Sequence, residues 1–336
     1  MPNRALNLPK RQCRQEMGDG EDMFPSASLW ERAYVVIGDH MTIVLPKDYH
    51  AKAALEKSRI LCVTQDDALK EDIRALRIGI LNIMPKAETY EFSLLHPLGR
   101  SVLQIEPVWI RLKTHEYTSS DQAHLEKLYV PFEDAAEKHL DGLIVTGAPV
   151  EEIPFEEVSY WDEIRRILKY ARNNITSTLG ICWGGLALAK YLGIEKVIYD
   201  KKIFGVFQMT NLDREHPITG ELDDVFWCAQ SRHSGVPDDV IELQRDKGNI
   251  NLLAYSKEAG YTIFESADQR FLVHLGHPEY EPRRLVEEYL RDQKLGRKDV
   301  TEPMNFDLKN PVNTWRGHRS EFFSQWIKYI HETTTY

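Results

Sequence analysis

The sequence predicts an α/β three-layer sandwich with a mainly parallel central sheet and a nucleophile elbow. Three observations carry that reading. Arg77-Ile78-Gly79-Ile80-Leu81-Asn82-Ile83-Met84, Gly142-Leu143-Ile144-Val145 and Ser177-Thr178-Leu179-Gly180-Ile181 are near-continuous apolar runs, as strands buried on both faces require. Helix-patterned segments alternate with them through short loops, the order expected of parallel strands joined by crossovers. The last run passes through Gly180-x-Cys182-x-Gly184 into an apolar, small-residue segment. That is strand, tight turn and helix, with a thiol where the hydrolase elbow carries a serine.

Residues 1–43 read as an N-terminal extension, polar at first and then passing through the strand-length apolar run Ala33-Tyr34-Val35-Val36-Ile37. Residues 44–336 read as a single domain. From Asp48 to Asp72 the pattern is helix, short strand and charged connection, followed by the Arg77–Met84 strand, which Pro85 ends. A helix over Thr89–Leu98 leads to a strand over Gln104–Leu112, where Pro107 suggests an edge or a bulge. After Gly142–Pro149, Trp161, Ile164, Ile167, Leu168 and Ala171 mark one face of a helix. Beyond the elbow, Lys202–Met209, Asn251–Tyr255, Tyr261–Glu265 and Arg270–Leu275 read as short strands. A helix with Pro282 in its first turn would bury Leu285, Val286, Tyr289 and Leu290. A last helix, behind a Ser320 cap, would bury Phe322, Phe323, Trp326, Ile327 and Ile330.

A chain of 336 residues can bury a substantial core, and its formal charge of −10 argues against non-specific nucleic-acid binding. No apolar run approaches the ~18 residues that a membrane span needs. Basic residues near the N-terminus have no apolar stretch after them, so no secretory signal is read and a cytoplasmic location is expected. Cys13, Cys62, Cys182 and Cys228 show neither disulfide nor metal-ligand spacing, and Cys62 and Cys228 read as packed residues. There is no phosphate-cradling glycine loop and no dense His/Cys/Asp cluster, so neither a bound cofactor nor a metal is expected.

Cys182 falls at a helix N-terminus, where the partial positive charge favours thiolate. A cysteine nucleophile needs a base, and the base an orienting partner. His277 and Glu279, two apart across Pro278 and just after a strand of the same predicted sheet, supply both.

G-x-C-x-G followed downstream by His-Pro-Glu resembles the class I glutamine amidotransferase arrangement. A closer resemblance is to the homoserine O-acyltransferases, which share that fold. It rests on Leu81-Asn82-Ile83-Met84-Pro85-Lys86, Asp141–Pro149, Tyr160-Trp161, Ser177-Thr178 before Ile181-Cys182-Trp183, and Ser231-Arg232. Gly276–Tyr280, Glu288–Asp292 and Trp315-Arg316-Gly317-His318 complete it in the same order, from about Val44 to the C-terminus. The resemblance implies ping-pong acyl transfer: Cys182 takes the acyl group of an acyl-CoA co-substrate with His277 as base and Glu279 orienting it, and an amino-acid hydroxyl then receives it. It further implies an oxyanion contact at the Trp183 N–H, assisted by Lys86, and acceptor contacts from Arg291, Ser231 and Lys202. It also implies a homodimer.

In that family a glycine at position 151 accompanies succinyl-CoA and a glutamate accompanies acetyl-CoA. Glu151 would repel a succinyl carboxylate and fill its space, so acetyl transfer is expected. The chain departs from the family pattern at Lys86-Ala87, where the segment is shorter. It departs also at Gly184-Gly185, where alanine is common, and at His233, where tyrosine is usual. L-homoserine is the implied acceptor, with L-serine as the alternative, since one methylene is worth only ~1–3 kcal/mol of discrimination. A glutamine amidotransferase is the more remote alternative.

Overall fold

The computed structural model describes residues 42–70 and 74–334. The run at 33–37 and Cys13 lie outside the described residues. Among the described residues, twelve strands form one sheet: β1 (Thr42–Val44), β2 (Leu61–Val63), β3 (Leu76–Leu81), β4 (Ile105–Arg111), β5 (Val130–Pro131), β6 (Gly142–Val145), β7 (Ser177–Ile181), β8 (Val197–Asn211), β9 (Val225–Gly235), β10 (Ile250–Ser256), β11 (Gly260–Ser266) and β12 (Phe271–His274). The helices are α1 (Lys52–Lys57), α2 (Gln65–Ala68), α3 (Ala87–Leu98), α4 (Gln122–Leu128), α5 (Phe132–Glu137), α6 (Trp161–Asn174), α7 (Trp183–Tyr191), α8 (Asp238–Asp246), α9 (Pro282–Lys294) and α10 (Arg316–Thr333).

The strand order is β2-β1-β4-β3-β6-β7-β12-β11-β10-β8-β9, with β5 beside β4. From β2 to β12 the neighbours are parallel, and from β12 to β9 they are antiparallel. The β1 strand begins at Thr42, across the expected boundary at 44, and is an integral member of the sheet.

Side chains alternate between the two faces of the parallel half. On one face Ile78, Ile80, Ile144, Leu179 and Ile181 join Leu94 and Leu98 of α3 and Phe323, Trp326 and Ile327 of α10. On the other, Leu81, Leu143, Val145 and Val273 meet Ile164, Ile167 and Leu168 of α6 and Leu186 of α7. Each such leucine or isoleucine, fully covered, contributes about 1.5–3 kcal/mol relative to leaving it in water. That double covering is why these strands read as unbroken apolar runs.

Pro107 sits in an interior strand, but β4 is paired on its outer side only at Ile105 and at Ile110–Arg111. The proline falls in the gap, where no ladder needs its missing N–H. Three other readings are corrected. The strand expected over Lys202–Met209 extends over Val197–Asn211 and pairs with β9, which the sequence conceals because Gln230-Ser231-Arg232-His233-Ser234 is polar yet buried. Helix α9 buries Leu285, Glu288 and Asp292 while Leu290 is 61% exposed, because the two carboxylates find partners inside. Helix α10 starts at Arg316 rather than behind Ser320, since the buried Trp315, whose indole N–H donates to Tyr280 O at 2.9 Å, anchors its N-terminus.

Among the described residues, no helix is long and apolar enough to cross a membrane.

Candidate active site

The elbow forms because β7 must turn into α7 without room for side chains beside it. A Cβ on Gly184 would stand 2.1 Å from Val145 O, and one on Gly180 would stand 2.6 Å from the Gly184 backbone. Cys182 between them takes φ 51° and ψ −113°. A non-glycine residue in such a region costs on the order of 1–3 kcal/mol. Its N–H donates to His274 O at 2.8 Å and its carbonyl accepts from Leu186 N–H at 3.0 Å, which holds the turn. The thiol therefore stands at the N-cap of α7, with the Trp183 N–H first in line behind it.

Strands β7 and β12 run side by side in parallel, with Ile181 opposite His274. Their carboxyl ends deliver Cys182 and His277 to one place, near enough for each to shift the proton affinity of the other. His277 Nδ1 is 2.7 Å from Glu279 Oε1, and both side chains are buried. The His277 N–H donates to Ala229 O at 2.8 Å, and the Tyr280 ring stacks on the imidazole at 3.9 Å between centroids and 20° between planes. Ring orientation is thereby set from three sides.

Burial pushes the Cys182 thiol up, and the nearby His277 pulls it back down without prevailing. Burial alone would lower His277, yet the cysteine and the Glu279 carboxylate hold it well above its ordinary value. The two shifts compete for one proton. The Glu279 carboxylate supports the rise at His277, so thiolate–imidazolium forms by proton transfer within the pair.

Tyr90 of α3 donates its hydroxyl to Glu279 Oε1, the oxygen that also faces His277, while Oε2 is buried without a partner. Tyr90 and Leu94, four apart, share the buried side of α3, so helical spacing does not reveal this role. A Cβ on Gly147, just past β6, would lie 3.5 Å from His277 Cε1 and 3.6 Å from Cys182 Cβ. Gly147 thus brings bare backbone up to Cys182 and His277, and the sequence gives no sign of it beyond the glycine itself.

The remaining candidates separate into groups. Lys202 Nζ lies 2.7 Å from Asp292 Oδ2 and 3.8 Å from Glu288 Oε2, and Ser231 donates its hydroxyl to Glu288. Glu288 also accepts from the Tyr280 hydroxyl at 2.8 Å. Burial would raise Glu288, but Lys202, Arg284 and His277 bring it down to about 2. Lys202, Ser231 and the Tyr280 ring that stacks on His277 are thus joined through the Glu288 carboxylate. Arg291 is half-exposed, with its guanidinium on Asp292 at 2.8 Å. Glu151 stands close enough to Cys182 to oppose thiolate formation. Its Oε2 is buried without a hydrogen bond, and burial raises its carboxyl while Lys202 and His277 lower it. Lys86 is exposed and takes the left-handed φ of 55° just before α3, and its backbone N–H donates to Ser119 Oγ at 3.3 Å. No described contact joins its side chain to Cys182. His233 lies beside Arg297 and Asp299, each at 3.2 Å. Cys62 and Cys228 are buried with thiols raised by desolvation, as packed residues should be.

The profile of the family described as homoserine O-succinyltransferase matches residues 42–336. A homoserine O-acetyltransferase of Bacillus subtilis (strain 168) is 36% identical over 301 residues, covering 88% of this chain and 99% of that protein. One from Geobacillus kaustophilus is 40% identical over 302 residues, covering 88% and 99%. One from Petrotoga mobilis is 38% identical over 303 residues, covering 88% and 97%. Among solved structures, a glutamine amidotransferase from Thermotoga maritima aligns with 77% of this chain and 99% of its own, at 14% identity and a TM-score of 0.47.

Proposed function

The chain belongs to the homoserine O-succinyltransferase family, and from that premise we propose that it moves an acetyl group from acetyl-CoA, through a Cys182 thioester, to the side-chain hydroxyl of L-homoserine in methionine biosynthesis. The observation that carries the reading is the buried line Cys182, His277, Glu279, bordered by Gly147 and flanked by Glu151.

Cys182 Sγ attacks the thioester carbonyl as His277 takes the thiol proton. The tetrahedral oxyanion meets the Trp183 N–H, a kind of contact worth about 3 kcal/mol, and CoA leaves with the proton. Homoserine then enters, His277 accepts its hydroxyl proton, and its oxygen attacks the acyl carbon. Ester forms, the carbon–sulfur bond breaks, and the proton returns to sulfur. Glu279 keeps Nδ1–H fixed so that the other ring nitrogen faces the reaction, and Tyr90 holds Glu279. Lys202, Ser231 and Arg291 lie on the acceptor side, where an arginine fork suits a carboxylate. Glu151 discriminates against succinyl by volume whether or not it is ionised, and by charge when it is. The reaction is placed in the cytoplasm, where acyl-CoA is made, and the family expectation is a homodimer.

Intact-protein mass spectrometry after brief mixing with acetyl-CoA or succinyl-CoA tests the whole reading. An acetyl adduct on Cys182, absent in Cys182→Ala and discharged by L-homoserine, is the expected result, with Glu151→Gly shifting the adduct towards succinyl. Discharge by L-serine instead would change the acceptor. No adduct from either thioester, with ammonia released from glutamine, would replace the reading with an amidotransferase.

A further inference from the structure

A second group of ligating side chains lies where three segments meet: His50 ahead of α1, Glu91 on α3 and His124 on α4. The Glu91 carboxylate is fully buried. One oxygen lies 2.7 Å from His124 Nε2, and the other lies 3.8 Å from His50 Nε2. The hydroxyls of Tyr49 and Tyr129 both donate to the same carboxylate. The two imidazoles meet edge to face, with centroids 4.8 Å apart.

We propose that His50, Glu91 and His124 bind a divalent transition-metal ion of the zinc type. The two nitrogens and the carboxylate oxygen all lie within 4.8 Å of one another. A four-coordinate zinc with bonds of ~2.0–2.1 Å needs its ligand atoms about 3.3 Å apart, so side-chain rotation alone closes the site. His50 Nε2 now rests 3.1 Å from Glu88 O, a contact that such a rotation exchanges for the metal. His50 is the most exposed of the three, at 41% of its side chain against 14% for His124, which leaves the fourth position to water and gives the ion an entry path. Two imidazoles and one carboxylate favour zinc, copper, nickel or cobalt over magnesium or calcium. Tyr49 and Tyr129 supply the outer hydrogen bonds that orient a ligating carboxylate. The separation in sequence, 33 residues between Glu91 and His124 alone, is why spacing gives no hint of the cluster. Glu91 directly follows Tyr90, so a bound ion stiffens the helical turn that holds Glu279.

The test is equilibrium dialysis of the full chain against Zn2+ in a Cys182→Ala background, because the catalytic thiol and imidazole are themselves zinc ligands. One saturable equivalent is expected, with affinity reduced at least about tenfold in His50→Ala and in His124→Gln. Co2+ loading should give the strong visible absorption of a four-coordinate site. The melting temperature should rise with free Zn2+ in the parent but not in His50→Ala, whose half-exposed side chain is dispensable for folding. An equivalent retained with unchanged affinity in both histidine variants, or no saturable binding in the parent, would overturn the proposal.

Discussion

Replacing Glu279 by glutamine keeps the shape of the proposed Cys182–His277–Glu279 line and removes its charge. The carboxylate is fully buried, stands 2.7 Å from His277 Nδ1 and accepts the Tyr90 hydroxyl on the same oxygen. A hydrogen bond to a charged group contributes about 1.5–3 kcal/mol, and here that stabilisation grows as His277 becomes imidazolium. Glutamine can still accept through its oxygen, but its amide then takes the place of Oε2, which has no partner, and a buried donor is left unmade. Turned round, it donates to Nδ1 and forces the wrong tautomer. Either way the imidazolium loses at least the charge-assisted part, which converts to a fall of about 10- to 150-fold in the rate of Cys182 acylation. Rapid-mixing CoA release over a pH series reads this directly, and His277 should titrate lower in the variant because one of the groups raising it is gone. Unchanged acylation, or a loss confined to the KM for the amino acid, would refute the assignment of Glu279 as the orienting group.

Gly147→Ala should preserve the fold, since its methyl would stand 3.3 Å from Met84 Sδ and farther from His277 and Cys182, yet crowd the side chains of the proposed reacting pair. A fall of about 100-fold in kcat/KM for the acyl donor with an unchanged melting curve is expected, and equal losses in both would argue for misfolding instead. Gly184→Ala should do the reverse and destabilise the whole chain by ~3 kcal/mol or more, because its Cβ would stand 2.1 Å from a strand carbonyl that cannot yield. Urea unfolding measures it, and a wild-type midpoint would remove the steric account of the elbow. His274 is buried beside Cys228 and Phe322, and desolvation lowers it to about 4. The unfolded chain takes up this proton near pH 6.5 and the folded one only near 4, so acid favours unfolding between those values. Stability should therefore fall by on the order of 3 kcal/mol as pH drops from about 6.5 through 4. A His274→Gln variant with the same pH dependence would show that other groups are responsible.

The strands of the parallel half were legible because a strand covered on both faces has no polar positions to disguise it, and the elbow was legible because its glycines are steric necessities. Periodicity failed where polar groups are buried: β9 and the inner face of α9 carry Ser231, Glu288 and Asp292 instead of leucines, so an apolar pattern pointed to Leu290. By itself the sequence determined the parallel core, the thiol at the elbow, and the imidazole and carboxylate that follow β12. These are local signals, readable because each depends on neighbours a few positions away along the chain. Only the tertiary structure decided which side chains surround them. Burial raises the thiol while His277 lowers it, Tyr90 reaches Glu279 from 189 positions away, and Lys202 meets Glu288 and Asp292 across the antiparallel half. Desolvation and long-range hydrogen bonds depend on distances in space, which spacing along the chain does not encode.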